Sequence, residues 1–364
     1  WEYTNEFGIP AAIFVNKMDR ERADFGRAVD DIRKSFPDKS ILVVQLPMGK
    51  EESFKGVIDL LAMKAYTFKN DGSGDFETTD IPQEFAGDAG AYREKLVETA
   101  VEMNDEVMER YLDGQEISES EIEKCLKEGV WARKIVPVFC GAATRNIGIQ
   151  PLLDNIVKYM PPPTYRAEIE GVDPRNGNKI TRKMSASEPF SAYIFKTITD
   201  PFAGKLTLFK VYSGELHPDM TVLNTANDEK ERIGQIFWLV GKKQKPAGLA
   251  SAGDIAVVAK LKAAGTGGTL CDEKNPIKFE EVKLAPPLIS FSLHPKAKGD
   301  EDKLNMSLAR LIEEDKTIRY SRDEQTKEFI LSGMGQVHIE VIVEKMKRKF
   351  NVEVELKEPK VPYK

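Results

Sequence analysis

The chain has 364 residues, 41% hydrophobic and 31% charged, a length that suggests two or three domains and a balance ordinary for a soluble globular protein. Its net charge of −6 argues against a free, non-specific nucleic-acid binder, and no apolar run approaches the roughly eighteen residues of a membrane span. The start, WEYTNEFG, lacks the basic and apolar regions of a signal peptide. Cys125, Cys140 and Cys271 are odd in number and far apart, as reduced thiols of a cytosolic protein would be; His217, His294 and His338 are as scattered.

In chain order, AAIFV (11–15) reads as a short buried strand. ADFGRAVDDIRKSF follows as a helix, with Phe25, Ala28, Val29, Ile32 and Phe36 at helical spacing. ILVVQLP (41–47) reads as a second buried strand stopped by Pro47, and 54–68 has β-rich apolar character. NDGSGDFETTD (70–80) reads as a loop. Residues 93–112 pattern as one amphipathic helix, with Leu96, Ala100, Met103, Val107 and Tyr111 on one face. Ser118 and Glu121 have capping-box spacing before another helix. IVPVFCGAA (135–143) is a buried strand running into a small-residue loop, and QPLLDNIVKYM is a helix closed by Pro161, Pro162 and Pro163. Between Asp88 and Glu128, thirteen acids face five bases, a local −8. That lobe reads as a solvated helix face, with a docking surface for a basic protein as the alternative.

Past the prolines, short strands dominate (FSAYIFKTI, KLTLFKVYSGEL, MTVLNT, RIGQIFWLV, DIAVVAKL), separated by glycine-containing turns, as in a small β-barrel. From LISFSL onward the order is strand, helix, two strands, helix, strand, the ferredoxin-like split. The basic run MKRKF (346–350) reads as a helix C-terminus complementing the helix dipole, with an RNA-binding patch as the alternative.

The chemistry concentrates in Asn16-Lys17-Met18-Asp19. Guanine presents N1–H and its 2-amino group as two donors, which one ionised carboxylate accepts together, a job suited to Asp19. Asn16 can contact the base and tie neighbouring loops, and the aliphatic stem of Lys17 can lie along the base face. These groups need the carboxyl end of a strand, which AAIFV supplies. CGAATRN repeats the strand-to-loop pattern, and the backbone N–H groups of Ala142 and Ala143 are the expected donors to guanine O6, with a tight buried turn as the alternative reading of CGAA. No GxxxxGK[ST] occurs in the 364 residues, so the cradle for phosphates, the lysine and the Mg²⁺-binding hydroxyl are missing, and no GTP hydrolysis is expected from this chain alone.

With these residues placed, the chain resembles bacterial translation elongation factor G over nearly its full length. FVNKMDRERADF resembles the family's guanine-specificity loop, and CGAATRNIGIQPLLDNIVKYMPPP its last nucleotide loop and closing helix. EPFSAYIFKTITDPFAGKLTLFKVYSGEL resembles its second domain, and the stretch from LARLIEEDK to FNVEV its third. The resemblance implies a multidomain α/β, β-barrel and α+β protein: the C-terminal part of a P-loop GTPase-type α/β domain at 1–163 with a helical insert at about 48–132, a translation-factor β-barrel at 164–284, a ferredoxin-like βαββαβ domain at 285–358, and the start of a truncated next domain at 359–364. It implies an internal fragment of a cytoplasmic, monomeric, ribosome-dependent GTPase that drives tRNA–mRNA translocation. The parent would use GTP/GDP and Mg²⁺, none of them bound by this piece, and its partners would be ribosomal RNA and stalk proteins, not a membrane. The guanine-binding residues carried over are Asn16, Lys17, Asp19, Ala142 and Ala143. The family usually has Ser-Ala where Ala142-Ala143 stand, and Glu and Leu where Gln336 and Val337 stand, which suggests an elongation factor G-like paralogue. A ribosome-protection-type GTPase, or a non-enzymatic ribosome- or RNA-binding module, is the alternative.

Overall fold

The computed structural model describes residues 1–200, 204–241, 243–297 and 299–360. The expected start of a further domain at 359–364 lies outside them from residue 361 onward. The chain divides into two compact units, Trp1–Pro161 and Pro162–Lys364, at the proline block.

The first unit opens with a helical turn α1 (Glu2–Glu6), strand β1 (Ile13–Val15), helix α2 (Phe25–Ser35) and strands β2 (Ser40–Val43), β3 (Gln45–Met48), β4 (Gly56–Asp59), β5 (Lys64–Phe68) and β6 (Phe76–Thr79). Helices α3 (Gln83–Val101), α4 (Asp105–Leu112) and α5 (Glu119–Trp131) follow, then strand β7 (Ile135–Cys140) and helix α6 (Ile149–Tyr159). Strands β1, β7 and β2 form a parallel sheet in that order, with every residue of β7 buried, as a central parallel strand requires. β1 pairs on one side only. Strands β3 to β6 form a separate antiparallel meander, and one continuous apolar core joins it to the parallel sheet.

Three expectations are corrected here. ILVVQLP is two strands in two sheets, because the chain leaves the parallel sheet after Val43; Pro47 sits inside β3, an edge strand, where a missing N–H breaks no second ladder. The segment 70–80 is a loop only as far as Asp75: Phe76–Thr79 adds a strand against β5, and Phe76 packs on Tyr66 and Phe68. The single helix over 93–112 is two. It breaks at 102–104, where Asn104 Oδ1 accepts the N–H of Val107 at 3.1 Å and starts α4.

The capping box at α5 is present, with Ser118 Oγ and Glu121 exchanging bonds across the first turn. Ser118 and then Arg110 hold the Glu121 carboxyl down from 4.5 to about 2. A carboxyl depressed in the folded state stabilises fully above its unfolded value and loses that contribution as pH falls through the folded one. Acid titration by far-UV circular dichroism should therefore show Glu121→Gln losing less helix than wild type between about pH 4.5 and 2; superimposable curves would refute this.

The second unit begins with a hairpin, β8 (Glu168–Val172) and β9 (Lys179–Lys183), that the strand pattern did not announce. The barrel follows: β10 (Ser191–Asp200), β11 (Gly204–Ser213), β12 (Glu215–Leu216), β13 (Thr221–Asn224), β14 (Glu229–Arg232), β15 (Ile236–Val240), β16 (Lys243–Ala247), β17 (Ala250–Ser251), β18 (Ile255–Ala259) and β19 (Thr269–Cys271). Eight of these form one antiparallel sheet ordered β14-β13-β19-β10-β11-β18-β15-β16 around an aliphatic core, and β12 pairs with β17. RIGQIFWLV is not one strand: Arg232 ends β14 and β15 starts at Ile236, while Ile233 between them turns inward and exchanges backbone bonds with Asp219 and Met220. Glu231, 4% exposed, accepts the N–H groups of Lys262, Ala263 and Ala264 at 3.0, 2.7 and 2.9 Å.

The last part is β20 (Ile289–Pro295), α7 (Glu301–Glu314), β21 (Arg319–Arg322), β22 (Phe329–Gly333), α8 (Gln336–Phe350) and β23 (Val354–Lys357). Its antiparallel sheet runs β21-β22-β20-β23, the ferredoxin-like order. The basic end of α8 is consumed internally: Lys347 pairs with Glu353, Arg348 with Glu344 and Lys349 with Glu314. The Glu314 carboxylate also accepts the N–H of Thr199 in β10 at 2.7 Å, so one buried acid joins the barrel to both helices. No helix among the described residues is long and apolar enough to cross a membrane.

Candidate functional site

β1 and β7 lie side by side and parallel, so their carboxyl ends emit two loops next to each other, 16–22 and 141–147. Gly141 N–H donates to Val15 O at 3.1 Å, and Met18 N–H to Gly141 O at 3.2 Å. A side chain at Gly141 has no room, since its Cβ would lie 2.5 Å from Ile147 O and 2.6 Å from Phe14 Cζ. Lys17 takes a left-handed backbone, φ 63°. That turn sends Met18 into the core while Asn16 and Lys17 stay exposed. Burial pushes the Cys140 thiol up, which leaves it protonated and makes it a packing residue.

Asn16 Oδ1 accepts the N–H of Ala143 at 3.0 Å, which joins two motifs 127 residues apart in sequence. The loop-tying role expected of Asn16 is therefore in place. Ala142 is another matter. It is fully buried, and its N–H donates to Ile147 O at 3.0 Å while its carbonyl accepts from Ile147 and Arg145. Its amide is committed to the turn and is not on offer to a base. Ala143 is exposed, and its amide partner is a side chain that can move. Asp19 is half-buried, and its Oδ1 is buried with no hydrogen-bond partner. An unmet carboxylate oxygen costs about 1–3 kcal/mol or more.

Met18 lines a cavity of about 580 Å³ with Phe25, Pro47, Lys50, Lys55 and Phe85. Asn16, Lys17, Asp19 and Ala143 do not line it, so this cavity is not the base site. Sequence reasoning missed the support for the loops: Glu51, Asn70 and the carbonyls of Gly72 and Ser73 all bond to them. The glycine- and aspartate-rich NDGSGD was the available signal, and it marked only a turn. Of the histidines, His338 sits between Met334 N–H, which it accepts at Nδ1, and Asp315, 3.1 Å from Nε2; burial raises the Asp315 carboxyl, but bonds from Thr317 and His338 outweigh it and hold it low. Among the described residues no group of three or more His, Cys, Asp or Glu is placed to hold a metal ion.

Comparison with known families decides the relationship. Residues 1–162 match the Elongation factor Tu GTP binding domain, 189–273 match Elongation factor G domain 2, and 284–358 match Elongation Factor G, domain III. The chain belongs to the elongation factor G family. A crystal structure from Thermus thermophilus is similar at 29% identity with a TM-score of 0.82; the match covers 100% of this chain and 51% of that one. The chain thus spans about half the length of that protein. The elongation factor G order of GTP-binding-type α/β domain, β-barrel and ferredoxin-like domain is the order of elements described above.

Proposed function

We propose that this chain carries the guanine-reading half of the nucleotide site of a ribosome-dependent translational GTPase that promotes tRNA–mRNA translocation. The observation that carries the reading is the buried, unpartnered Asp19 Oδ1 beside the Asn16–Ala143 tie. Guanine N1–H and its 2-amino group supply the two donors that this carboxylate lacks, and adenine, with an acceptor at N1, cannot. Ala143 N–H turns from Asn16 to guanine O6, which frees the Asn16 amide for the base, and the Lys17 stem covers the ring face. Ala142 shapes the loop.

GTP or GDP, with Mg²⁺ on its phosphates, is the ligand of the whole protein. Its partners are ribosomal RNA and the ribosomal stalk, its place the cytoplasm, and its state monomeric. Because no GxxxxGK[ST] is present in these residues, base contacts alone hold the nucleotide, so binding is weak and hydrolysis absent here. Calorimetric titration of GDP into this chain and into an N-terminally extended one tests both parts. We expect tight binding only in the extended chain; micromolar binding by the short one would overturn the phosphate argument. An extended chain indifferent to guanine against adenine would overturn the base assignment.

A further inference from the structure

The segment that follows β3 grips both loops of the base site. On one side, Glu51 donates its N–H to Met18 O at 3.0 Å, and its Oε1 accepts the N–H of Arg22 at 2.8 Å. The first loop is thus pinned at its middle and at its far end. On the other side, Arg145 Nη2 donates to Asn70 Oδ1 at 2.7 Å, and Asn146 Nδ2 donates to the carbonyls of Ser73 and Gly72 at 3.1 and 3.3 Å. The gripping loop is itself stiff. Asp71 accepts the N–H of Ser73 at 2.9 Å, Ser73 Oγ that of Asp75 at 3.1 Å, and Lys69 N–H reaches Asp75 O at 2.9 Å. The approach is close enough that a Cβ on Gly74 would lie 1.8 Å from Gln150 Nε2 and 2.5 Å from Asn146 Nδ2. Asn146 holds a left-handed backbone, φ 56°, a conformation asparagine tolerates.

A base edge is read by hydrogen bonds that weaken steeply once distance or angle drifts. The two loops belong to different strands, and the direct ties between them at their tips are few. The structure assigns to Glu51, Asn70, Arg145 and Asn146 the role of positioning residues that fix the gap between Asp19 and Ala143. Strain applied to the 51–75 segment is then felt as a change in guanine affinity, because a preorganised site loses affinity when its parts are allowed to wander. This role rests on the base-site reading above.

Two variants test it. Asn146→Gly keeps the left-handed backbone and deletes the amide, and Asn70→Ala removes the exposed partner of Arg145. Hydrogen exchange of amides 142–147 should quicken about tenfold in each, with β10 and β11 unchanged; unaltered exchange overturns the brace. Saturation-transfer NMR with guanosine and adenosine should show the guanosine preference falling several-fold in both variants. A preference that survives faster exchange also overturns the positioning role. If the unsubstituted chain shows no guanosine preference, the base-site reading fails instead, and exchange alone decides the brace.

Discussion

Asp19→Asn is expected to abolish the preference for guanine and to shift it toward xanthine. In the proposed base contact the carboxylate accepts two charge-assisted bonds, each worth roughly 1.5–3 kcal/mol, so the expected loss is on the order of a hundredfold or more in guanosine affinity. An asparagine amide places an N–H where a lone pair stood. That donor opposes the 2-amino group of guanine and complements the 2-oxo group of xanthine. The Asp19 Oδ1 has no internal partner to lose, so the fold itself should not suffer. Competition between guanosine and xanthosine on the N-terminally extended chain measures the shift. Equal guanosine affinity in wild type and variant would remove Asp19 from the base site.

The second large effect concerns stability. Glu231→Ala should cost the barrel about 2 kcal/mol, because it removes the acceptor shared by the N–H groups of Lys262, Ala263 and Ala264, of which Ala264 is buried away from water. Glu231→Gln keeps one acceptor oxygen and should fall between wild type and alanine. Trp238 is the barrel's own tryptophan, so urea unfolding followed by its fluorescence, with Trp1 and Trp131 replaced by phenylalanine, isolates the effect. A loss under about 1 kcal/mol would mean the 260–266 loop finds other partners.

Much of the architecture was legible because periodicity and punctuation are local. The triple proline at 161–163, the capping box at Ser118 and the alternation in LISFSL each state their structure within a few residues. What was not legible depended on the partner of a segment. Nothing in ILVVQLP announces that Val43 and Gln45 serve different sheets, since no glycine, proline or turn residue stands between them. Phe76–Thr79 becomes a strand because β5 offers an edge, not because FETT demands it. The same holds in the site. Asn16, Lys17 and Asp19 could be named from type and spacing. That the Ala142 amide is already taken by Ile147 is set by the conformation of one tight local turn, and that Asn70 reaches Arg145 across 75 residues of sequence is a fact of tertiary contact.

Glu314 carries a consequence for how the second unit can move. Its carboxylate meets the Thr199 amide of the barrel and the Lys349 ammonium of α8 together. Apolar faces tolerate sliding, because the area uncovered on one side is covered again on the other. Bonds of about 2.7–2.9 Å tolerate almost none. The joint therefore favours one seating: a slide of the barrel against the βαββαβ portion that outruns the Glu314 side chain gives up the Thr199 bond, which apolar contacts would not replace.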